Sequence, residues 1–392
     1  MLRGSNYYNP AWGRQAGDVR NSRVRREGLP LGIAAYCGRI GGSTLLRASA
    51  AVETGIRCQS SLAWYDASTP RPDNYHYLPS YFTGEAFEAV DAVWRAGDER
   101  YTQIDWAELY RRNRMQPDGE ALYALEDRVE RPLRMQTAIR IESEVDPQLT
   151  VACALRVDYD APRRYKQLRD LLGADRLTDI DRFLLDDATY SNRLQNDLRH
   201  PDRTVGEGDR FGYDYNINQV GANLWLQNSW TFAKWDLAYG ATGSFTQYQR
   251  EGFMRNGRAP ENSFGKGATH TFFNYGAKAS VMYKIDGRNS FVAHGYYGTR
   301  APLSYNAYVS PRIKDDVISN LNSEIIASGD ISYEWNYRNF KGVVTGFYTD
   351  MRKGTERTAF YDDLASTFMN YALTNVHKVF KGVEVGLSYK LT

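Results

Sequence analysis

One stretch of sequence decides the fold class: Phe273-Asn274-Tyr275-Gly276-Ala277-Lys278-Ala279-Ser280-Val281-Met282-Tyr283-Lys284-Ile285. Every odd-numbered residue in it is apolar or aromatic, whereas Met282 is the only apolar residue at an even position. Successive side chains of a β-strand point to opposite faces, so this period of two gives one apolar face and one polar face. The stretch therefore predicts a long amphipathic strand that separates an apolar medium from a polar one.

The same alternation recurs along the chain, at 46–53, 149–159, 235–244, 327–337 and 383–391. Followed to its full length, the pattern predicts eleven strands, at about 31–40, 44–54, 135–145, 149–159, 213–229, 234–250, 270–286, 290–299, 324–337, 341–352 and 373–391. We therefore expect an all-β protein with an antiparallel, up-and-down arrangement of about eleven strands.

The links between these strands alternate between two lengths. Short links lie at 41–43, 146–148, 230–233, 287–289 and 338–340, and long links at 55–132, 160–210, 251–267, 301–322 and 353–371. Short turns on one rim and long loops on the other are typical of an outer-membrane transmembrane β-barrel, whose turns face the periplasm and whose loops are extracellular. Eleven strands is half of about twenty-two, the number found in plugged outer-membrane transporters.

The composition excludes several classes of protein. Lys and Arg number 49 against 47 Asp and Glu, so the net charge of +2 provides no strong field to attract nucleic acid. The mean hydropathy is -0.59 and no run of about 18 apolar residues occurs, which excludes a helical membrane protein. An alternating strand pattern averages to ordinary hydropathy, so a membrane barrel remains the favoured class.

Aromatic and charged residues occupy opposite positions of the expected strands. Aromatic residues gather beside the short turns, where barrels carry a girdle at the lipid headgroups: Trp230, Phe232, Trp235, Tyr333, Trp335, Tyr337, Phe340 and Tyr389. Charged residues occupy the polar positions: Arg47, Glu53, Arg156, Asp158, Asp236, Lys278, Lys284, Asp330, Glu334, Glu384 and Lys390. Charge facing lipid is destabilising, so we expect these residues to face the lumen, most as general polar lining and some in contact with a plug or ligand.

Nothing in the sequence predicts catalysis. The histidines, His76, His200, His270, His294 and His377, are scattered and fit no metal-binding signature. An acidic group at Asp175, Asp179, Asp181, Asp186 and Asp187 lacks the spacing of a calcium loop, so we expect it to be solvated. We therefore expect no enzyme activity, no cofactor and no metal centre.

The first long link contains candidate ligand-binding residues. Its 64–82 part is rich in aromatic residues that could stack on a ligand: Trp64, Tyr65, Tyr75, Tyr77 and Tyr81. Such loops suit a carbohydrate, a siderophore, haem or a peptide, and the sequence leaves this choice open.

Several short motifs carry a resemblance to a known family. They are YYNPAWG (7–13), VRNSR (19–23), WYDASTPRPD (64–73), YLPSY (77–81), DLLGAD (170–175), YVSPR (308–312), GFYTD (346–350) and FKGVE (380–384). In order and spacing these motifs, with the strands, resemble the C-terminal half of a TonB-dependent outer-membrane receptor of the Bacteroidetes type, which often carries a carboxypeptidase-regulatory-like extension. The resemblance covers essentially the whole chain.

The resemblance implies an importer. Such receptors fill a twenty-two-stranded barrel with an N-terminal plug and couple to TonB through a short N-terminal box. Because the plug, the TonB box and a signal peptide are not found in the sequence, we expect 1–392 to be the C-terminal part of one receptor barrel domain, without its plug and first half. The expected partners are outer-membrane lipid, the TonB complex through the plug, a nutrient ligand and a candidate surface lipoprotein, in the outer membrane of a Gram-negative cell.

Two other hypotheses remain open at this stage. The chain could be a self-contained surface binding protein or a porin-like barrel without TonB coupling. A soluble secreted β-protein, such as a glycan-active enzyme, is disfavoured because outward aromatic residues would have no core to pack against, and open apolar edges promote aggregation.

Overall fold

The structure is a computed structural model that describes residues 7–184, 192–362 and 367–391. Its strands are β1 (Trp12–Gln15), β2 (Asp18–Asn21), β3 (Arg25–Gly28), β4 (Leu31–Ile40), β5 (Thr44–Thr54), β6 (Ile56–Trp64), β7 (Tyr123–Arg131), β8 (Leu133–Glu144), β9 (Leu149–Asp160), β10 (Arg163–Asp170), β11 (Leu177–Thr178), β12 (Thr204–Val205), β13 (Arg210–Thr231), β14 (Trp235–Gly252), β15 (Gly265–Lys284), β16 (Asn289–Arg300), β17 (Glu324–Asn336), β18 (Phe340–Asp362) and β19 (Thr367–Tyr389). Its α-helices are α1 (Glu85–Ala96), α2 (Glu99–Thr102), α3 (Trp106–Arg114) and α4 (Ser304–Ala307). Within the described ranges, no helix is both long and apolar enough to cross a membrane.

The eleven strands expected from the alternation are all present in one antiparallel sheet. Their order is β4-β5-β8-β9-β13-β14-β15-β16-β17-β18-β19. The strand boundaries agree within a few residues, except that β18 and β19 run well into the expected 353–371 link. Lys353 has a positive φ of 57°, and the register of β18 against β19 shifts beside it. This bulge breaks the period of two, which explains why the strand predicted from the alternation ended at 352 although β18 continues to Asp362.

The long link expected from 55 to 132 is present but shorter, at 65–122, because β6 and β7 occupy the two ends of the expected range. β3, β6, β7 and β10 pair in that order and continue the sheet onto the first part of β13. Pro132 and Pro162 interrupt the alternation where β7 meets β8 and β9 meets β10, since proline provides no backbone N–H. Gly55 joins β5 to β6 with a φ of 126°, and a Cβ there would lie 2.1 Å from the Gly28 oxygen. Only glycine fits this junction.

The same link also contains three helices whose ends carry ordinary capping signals. Gly97 ends α1 in the left-handed conformation, with φ 70°. The Asp98 carboxylate accepts a hydrogen bond from the Arg100 amide at the start of α2, and Asp105 accepts one from the Glu108 amide at the start of α3. Carboxylates at these positions satisfy the unpaired N–H groups of a first helical turn.

The largest hydrophobic cluster lies between α3 and β7. Trp106 and Leu172 are fully buried in it, and Tyr123 is 1% exposed. Asn113 holds α3 against this cluster, because its Nδ2 donates to the backbone oxygen of Tyr123 at 2.8 Å and to that of Leu171 at 2.9 Å. Residues 85–114 therefore form a folded helical cap beside the extended strands.

One face of the eleven-stranded sheet carries a belt of aromatic rings at its short-turn end. The Trp235 and Tyr283 ring centroids are 4.6 Å apart, and those of Phe291 and Tyr333 are 5.1 Å apart. The register extends this belt across neighbouring strands through Trp230, Trp335, Phe340 and Tyr389. We call this surface the aromatic face; away from the belt it exposes apolar side chains, among them Phe273 at 77%.

The path of eleven strands ends on two free edges. Within the described residues β4 pairs with β5 alone and β19 pairs with β18 alone, while the branch through β10, β7 and β6 ends on β3, which pairs with β6 alone. The eleven strands therefore form an open sheet rather than a closed ring.

Candidate functional site

The register places the charged residues expected in the lumen on the face opposite the aromatic belt. Ten of them lie there: Arg47, Glu53, Arg156, Asp158, Asp236, Lys278, Lys284, Asp330, Glu334 and Glu384. Lys390 follows directly after the end of β19. We call this surface the charged face.

Some charges on this face are paired and others are not. The ion pairs are Asp236 with Lys284 at 2.6 Å, Glu53 with Arg134 at 2.8 Å, and Arg156 with Asp158 at 3.4 Å, while Asp330 forms a hydrogen bond with the His294 imidazole at 2.8 Å. Within the described ranges, no ion-pair partner is found for Arg47, Lys278, Glu334, Glu384 or Lys390. Unpaired charges of both signs suit a surface in contact with water and not with lipid.

The 301–323 segment between β16 and β17, which contains the link expected at 301–322, folds onto the charged face. Tyr308 is fully buried, and its ring centroid lies 6.0 Å from those of Tyr248 and His270, which are directly opposed in the sheet. Arg357 of β18 donates a hydrogen bond from its Nη1 to the backbone oxygen of Tyr308 at 3.0 Å. The segment therefore occupies part of the space above the charged face.

A cleft of about 500 Å³ lies between the 68–82 segment and helices α1 to α3. Much of its wall is apolar: Pro70, Pro72, Tyr77, Phe82, Val90, Val93, Trp94, Tyr101 and Leu109. The Trp94 indole N–H donates to the backbone oxygen of Tyr77 at 3.0 Å, and this bond holds the 68–82 segment against α1. Clefts of about 300–1,000 Å³ with apolar walls and a few polar groups are typical of small-ligand sites.

Four charged groups that line the cleft are already engaged. The Arg71 guanidinium forms a bidentate pair with Asp73, and Arg100 forms one with Asp98. Asp105 caps α3 through its carboxylate. The pKa of Glu108 is lowered by its hydrogen bonds from Arg111.

Arg112 and Gln103 differ from these groups. Arg112 Nη1 donates to the Ser68 hydroxyl at 2.9 Å and the Tyr123 hydroxyl at 2.6 Å, and no carboxylate of the described residues lies within ion-pair distance of it. Gln103 is 6% exposed, lines the cleft, and has a side-chain oxygen without a hydrogen-bond partner. A buried, unsatisfied amide oxygen is unusual and calls for a donor.

The five aromatic ligand-contact candidates do not form one surface. Tyr77 lines the cleft, while Tyr75 and Tyr81 form an exposed group with ring centroids 5.9 Å apart. Trp64 is 38% exposed at the end of β6. Tyr65 packs against a second core cluster with its hydroxyl buried, and this burial raises the pKa of the phenol well above its usual range. Tyr65 is therefore part of the packed core.

The acidic group expected to be solvated is not uniform. Asp179 is 3% exposed and pairs with Arg203 at 2.7 Å, so that expectation was wrong for this residue. Asp186 and Asp187 lie outside the described residues. Across the described part of the chain, no group of three or more His, Cys, Asp or Glu side chains is arranged to hold a metal ion.

The sequence did not single out Arg112 or Gln103. Arg112 lies in α3, and Gln103 directly follows α2. Both line the cleft together with residues of the 68–82 segment, Trp94 and Leu109, so their position there depends on tertiary packing. The amphipathic run from 85 to 96, ended by Gly97, was the available signal for a helix there.

Two solved structures resemble this fold over most of the chain. For "Copper transporter OprC" the TM-score is 0.50 at 11% identity, covering 92% of this chain and 52% of that one. For the ferric citrate transporter FecA in its unliganded form the TM-score is 0.52 at 7% identity, covering 93% of this chain and 39% of that one. No protein-family model and no curated protein matches the sequence.

The fold is that of part of the wall of an outer-membrane β-barrel, since the described strands form an open sheet. At these identities the likeness concerns the fold alone, and the chain spans about half of the first protein and less of the second. The all-β barrel fold expected from the alternation is thus confirmed, and the expected location in the Gram-negative outer membrane agrees with it.

Proposed function

We propose that the chain is the C-terminal part of a TonB-dependent outer-membrane receptor that imports a nutrient. In this proposal the eleven strands form half of the barrel wall, and a plug and further strands complete the receptor. The loop side captures the ligand, energy delivered through TonB displaces the plug, and the ligand passes along the charged face. Iron chelates, glycans and peptides are the nutrient classes to test.

The division of the sheet into two chemically opposite faces carries this proposal. An exposed aromatic belt suits a lipid boundary, whereas ten charged strand residues on the other face suit a water-filled interior. The free edges of β4 and β19 support further strands, since unpaired backbone groups in a membrane are costly. The cleft beside the helical cap provides a place for capture on the loop side.

The first experiment is to fractionate cells and detect the protein with an antibody against residues 85–114. We expect a polypeptide clearly larger than 44.7 kDa in the outer membrane, with heat-modifiable migration. A soluble protein of 44.7 kDa would contradict the proposal.

The second experiment is to measure uptake of iron chelates, glycans and short peptides in cells with and without the gene. Loss of the gene and depletion of TonB should reduce the uptake of the same nutrient. Uptake that needs the gene but not TonB would instead favour a porin-like barrel.

A further inference from the structure

We propose that the cleft between the 68–82 segment and helices α1 to α3 binds a carboxylate that carries an adjacent N–H group and an apolar side chain, which is the chemistry of the C-terminal residue of a short peptide. This inference rests on the proposed function and deepens it, because it assigns the capture site and the ligand class.

Arg112 provides the carboxylate site. Its Nη1 atom is held by the Ser68 and Tyr123 hydroxyls, and its guanidinium carbon lies 5.4 Å from the centroid of the Tyr123 ring. Nε and Nη2 donate to none of the described residues, and neither belongs to the buried unsatisfied atoms. One edge of a fixed guanidinium is therefore available for a bidentate pair with a carboxylate.

Gln103 provides the acceptor for the N–H group. Its backbone N–H ends α2 by donating to the Glu99 backbone oxygen at 3.0 Å, which fixes the backbone and leaves the side chain free to rotate. Its side-chain oxygen is buried and unpartnered, and the residue lines the cleft. Rotation of the side chain would bring this oxygen to an amide N–H of the ligand and satisfy an acceptor that otherwise has no partner.

The apolar part of the wall selects an apolar side chain. It is formed by Trp94, Val93, Phe82 and Leu109, while the other charged groups of the cleft are already engaged by neighbouring residues. A volume of about 500 Å³ fits a ligand of roughly two or three residues and excludes a large glycan. The Arg112 charge, the Gln103 acceptor and the apolar surface together match a peptide end better than a neutral sugar.

The test is isothermal titration calorimetry on the receptor purified from outer membranes in detergent. The probes are N-acetylphenylalanine, its C-terminal amide, which lacks the carboxylate, and 3-phenylpropionic acid, which lacks the N–H group. We expect N-acetylphenylalanine to bind at least about tenfold more tightly than either of the other two. Equal affinities for the acid and its amide, or no saturable binding of the acid, would overturn the proposal.

Variants separate recognition from folding of the cleft. Arg112→Met should weaken binding of N-acetylphenylalanine at least about tenfold and leave binding of the amide unchanged. Gln103→Met should weaken the binding of N-acetylphenylalanine, which has an N–H group, and leave the binding of 3-phenylpropionic acid unchanged. The matched control is Arg95→Met, because Arg95 lies in α1, pairs with Asp91 and does not line the cleft, so all three affinities should be unchanged. Equal weakening of both the acid and its amide in Arg112→Met would show a structural role and overturn the proposal.

Binding and transport fail separately in this design. If the acid binds through Arg112 but peptide uptake does not depend on the gene, the import function is wrong and the site stands. If uptake depends on the gene and on TonB while Arg112→Met leaves binding unchanged, the site is wrong and the import function stands.

Discussion

Arg250 of β14 donates a hydrogen bond from its Nε to the backbone oxygen of Pro311, at 2.7 Å. The same guanidinium donates from Nη1 to the Ser263 oxygen at 3.0 Å, and Arg250 is 2% exposed. One buried cation on the charged face thus holds two separate links, at 253–264 and 301–323. The position of the inward-folded segment depends on it.

Replacing Arg250 by Met should release the 301–323 segment without unfolding the sheet. The substitution removes two hydrogen bonds from a charged donor and leaves two carbonyl groups unsatisfied, so we expect local opening to become easier by about 2–4 kcal/mol. Limited proteolysis in outer-membrane preparations should show faster cleavage within 301–323. The exposed Arg39 in β4 provides the control, and Arg39→Met should leave the cleavage rate unchanged. Equal protection of the segment in both variants would show that Arg250 does not hold it.

Acidification should tighten the same segment. Burial raises the pKa of the Asp315 carboxyl, although Arg250, His270 and the Ala268 amide act in the opposite direction and Asp316 adds to the rise. The closed segment therefore binds the proton more tightly than the opened one. Its stability should increase as pH falls through this raised pKa, and should level off below about 3.9, the ordinary value for an opened Asp.

Hydrogen exchange of 301–323, corrected for the intrinsic effect of pH, measures this dependence. We expect slower opening near pH 4 than at pH 7. Asp315→Asn should remove most of this difference. Faster opening near pH 4 in the unaltered protein would contradict the assigned direction.

The N-terminal hairpin of β1 and β2 should be sensitive to a single methyl group. A Cβ at Gly13 would lie 1.8 Å from the Ile104 oxygen, where the hairpin docks through an Ile104 N–H to Trp12 oxygen bond of 3.0 Å. Gly13→Ala should therefore cost about 1–3 kcal/mol through overpacking. Protease cleavage within 7–22 should accelerate. Gly28→Ala is the matched control, because nothing lies within 4 Å of a Cβ there, and an equal effect of both changes would contradict the docking.

The sequence predicted the strands well because the period of two reflects a physical boundary that acts on every residue of a strand. From Phe273 to Ile285 each side chain meets either the apolar or the polar side, so local pattern and tertiary position coincide. The pattern ended where a bulge or a proline shifted the period, at Lys353 and Pro132, although hydrogen bonding continued beyond. The alternation therefore did not predict the parts of the sheet that lie beyond these two residues.

The candidate site was much less predictable. Tyr65 and Tyr77 are alike as residues of an aromatic link, yet one packs into a core cluster and the other lines the cleft. Gln103 carries no local sign of a binding role, since its environment arises where α1, α3 and the 68–82 segment meet. Composition indicates that aromatic side chains are available for a ligand, whereas packing decides which of them reach it.

Two adjacent residues of β15 test which face meets lipid. Ala279 belongs to the aromatic face and Ser280 to the charged face, opposite Tyr239 and Ala238 respectively. Ala279 lies four positions from Tyr283 of the belt, about 13 Å along the strand, which places it near the middle of an apolar band about 25 Å tall.

Ala279→Lys should therefore destabilise the inserted protein by about 2–4 kcal/mol, whereas Ser280→Lys should cost little because its side chain points toward water. The measurement is the amount of each variant recovered in urea-washed outer membranes when it is expressed from its own gene. The two substitutions add the same side chain at neighbouring positions, so differences in helix or strand propensity do not separate them. Greater loss of the Ser280→Lys variant would reverse the assignment of the faces, and with it the proposal that the charged face lines the path of the ligand.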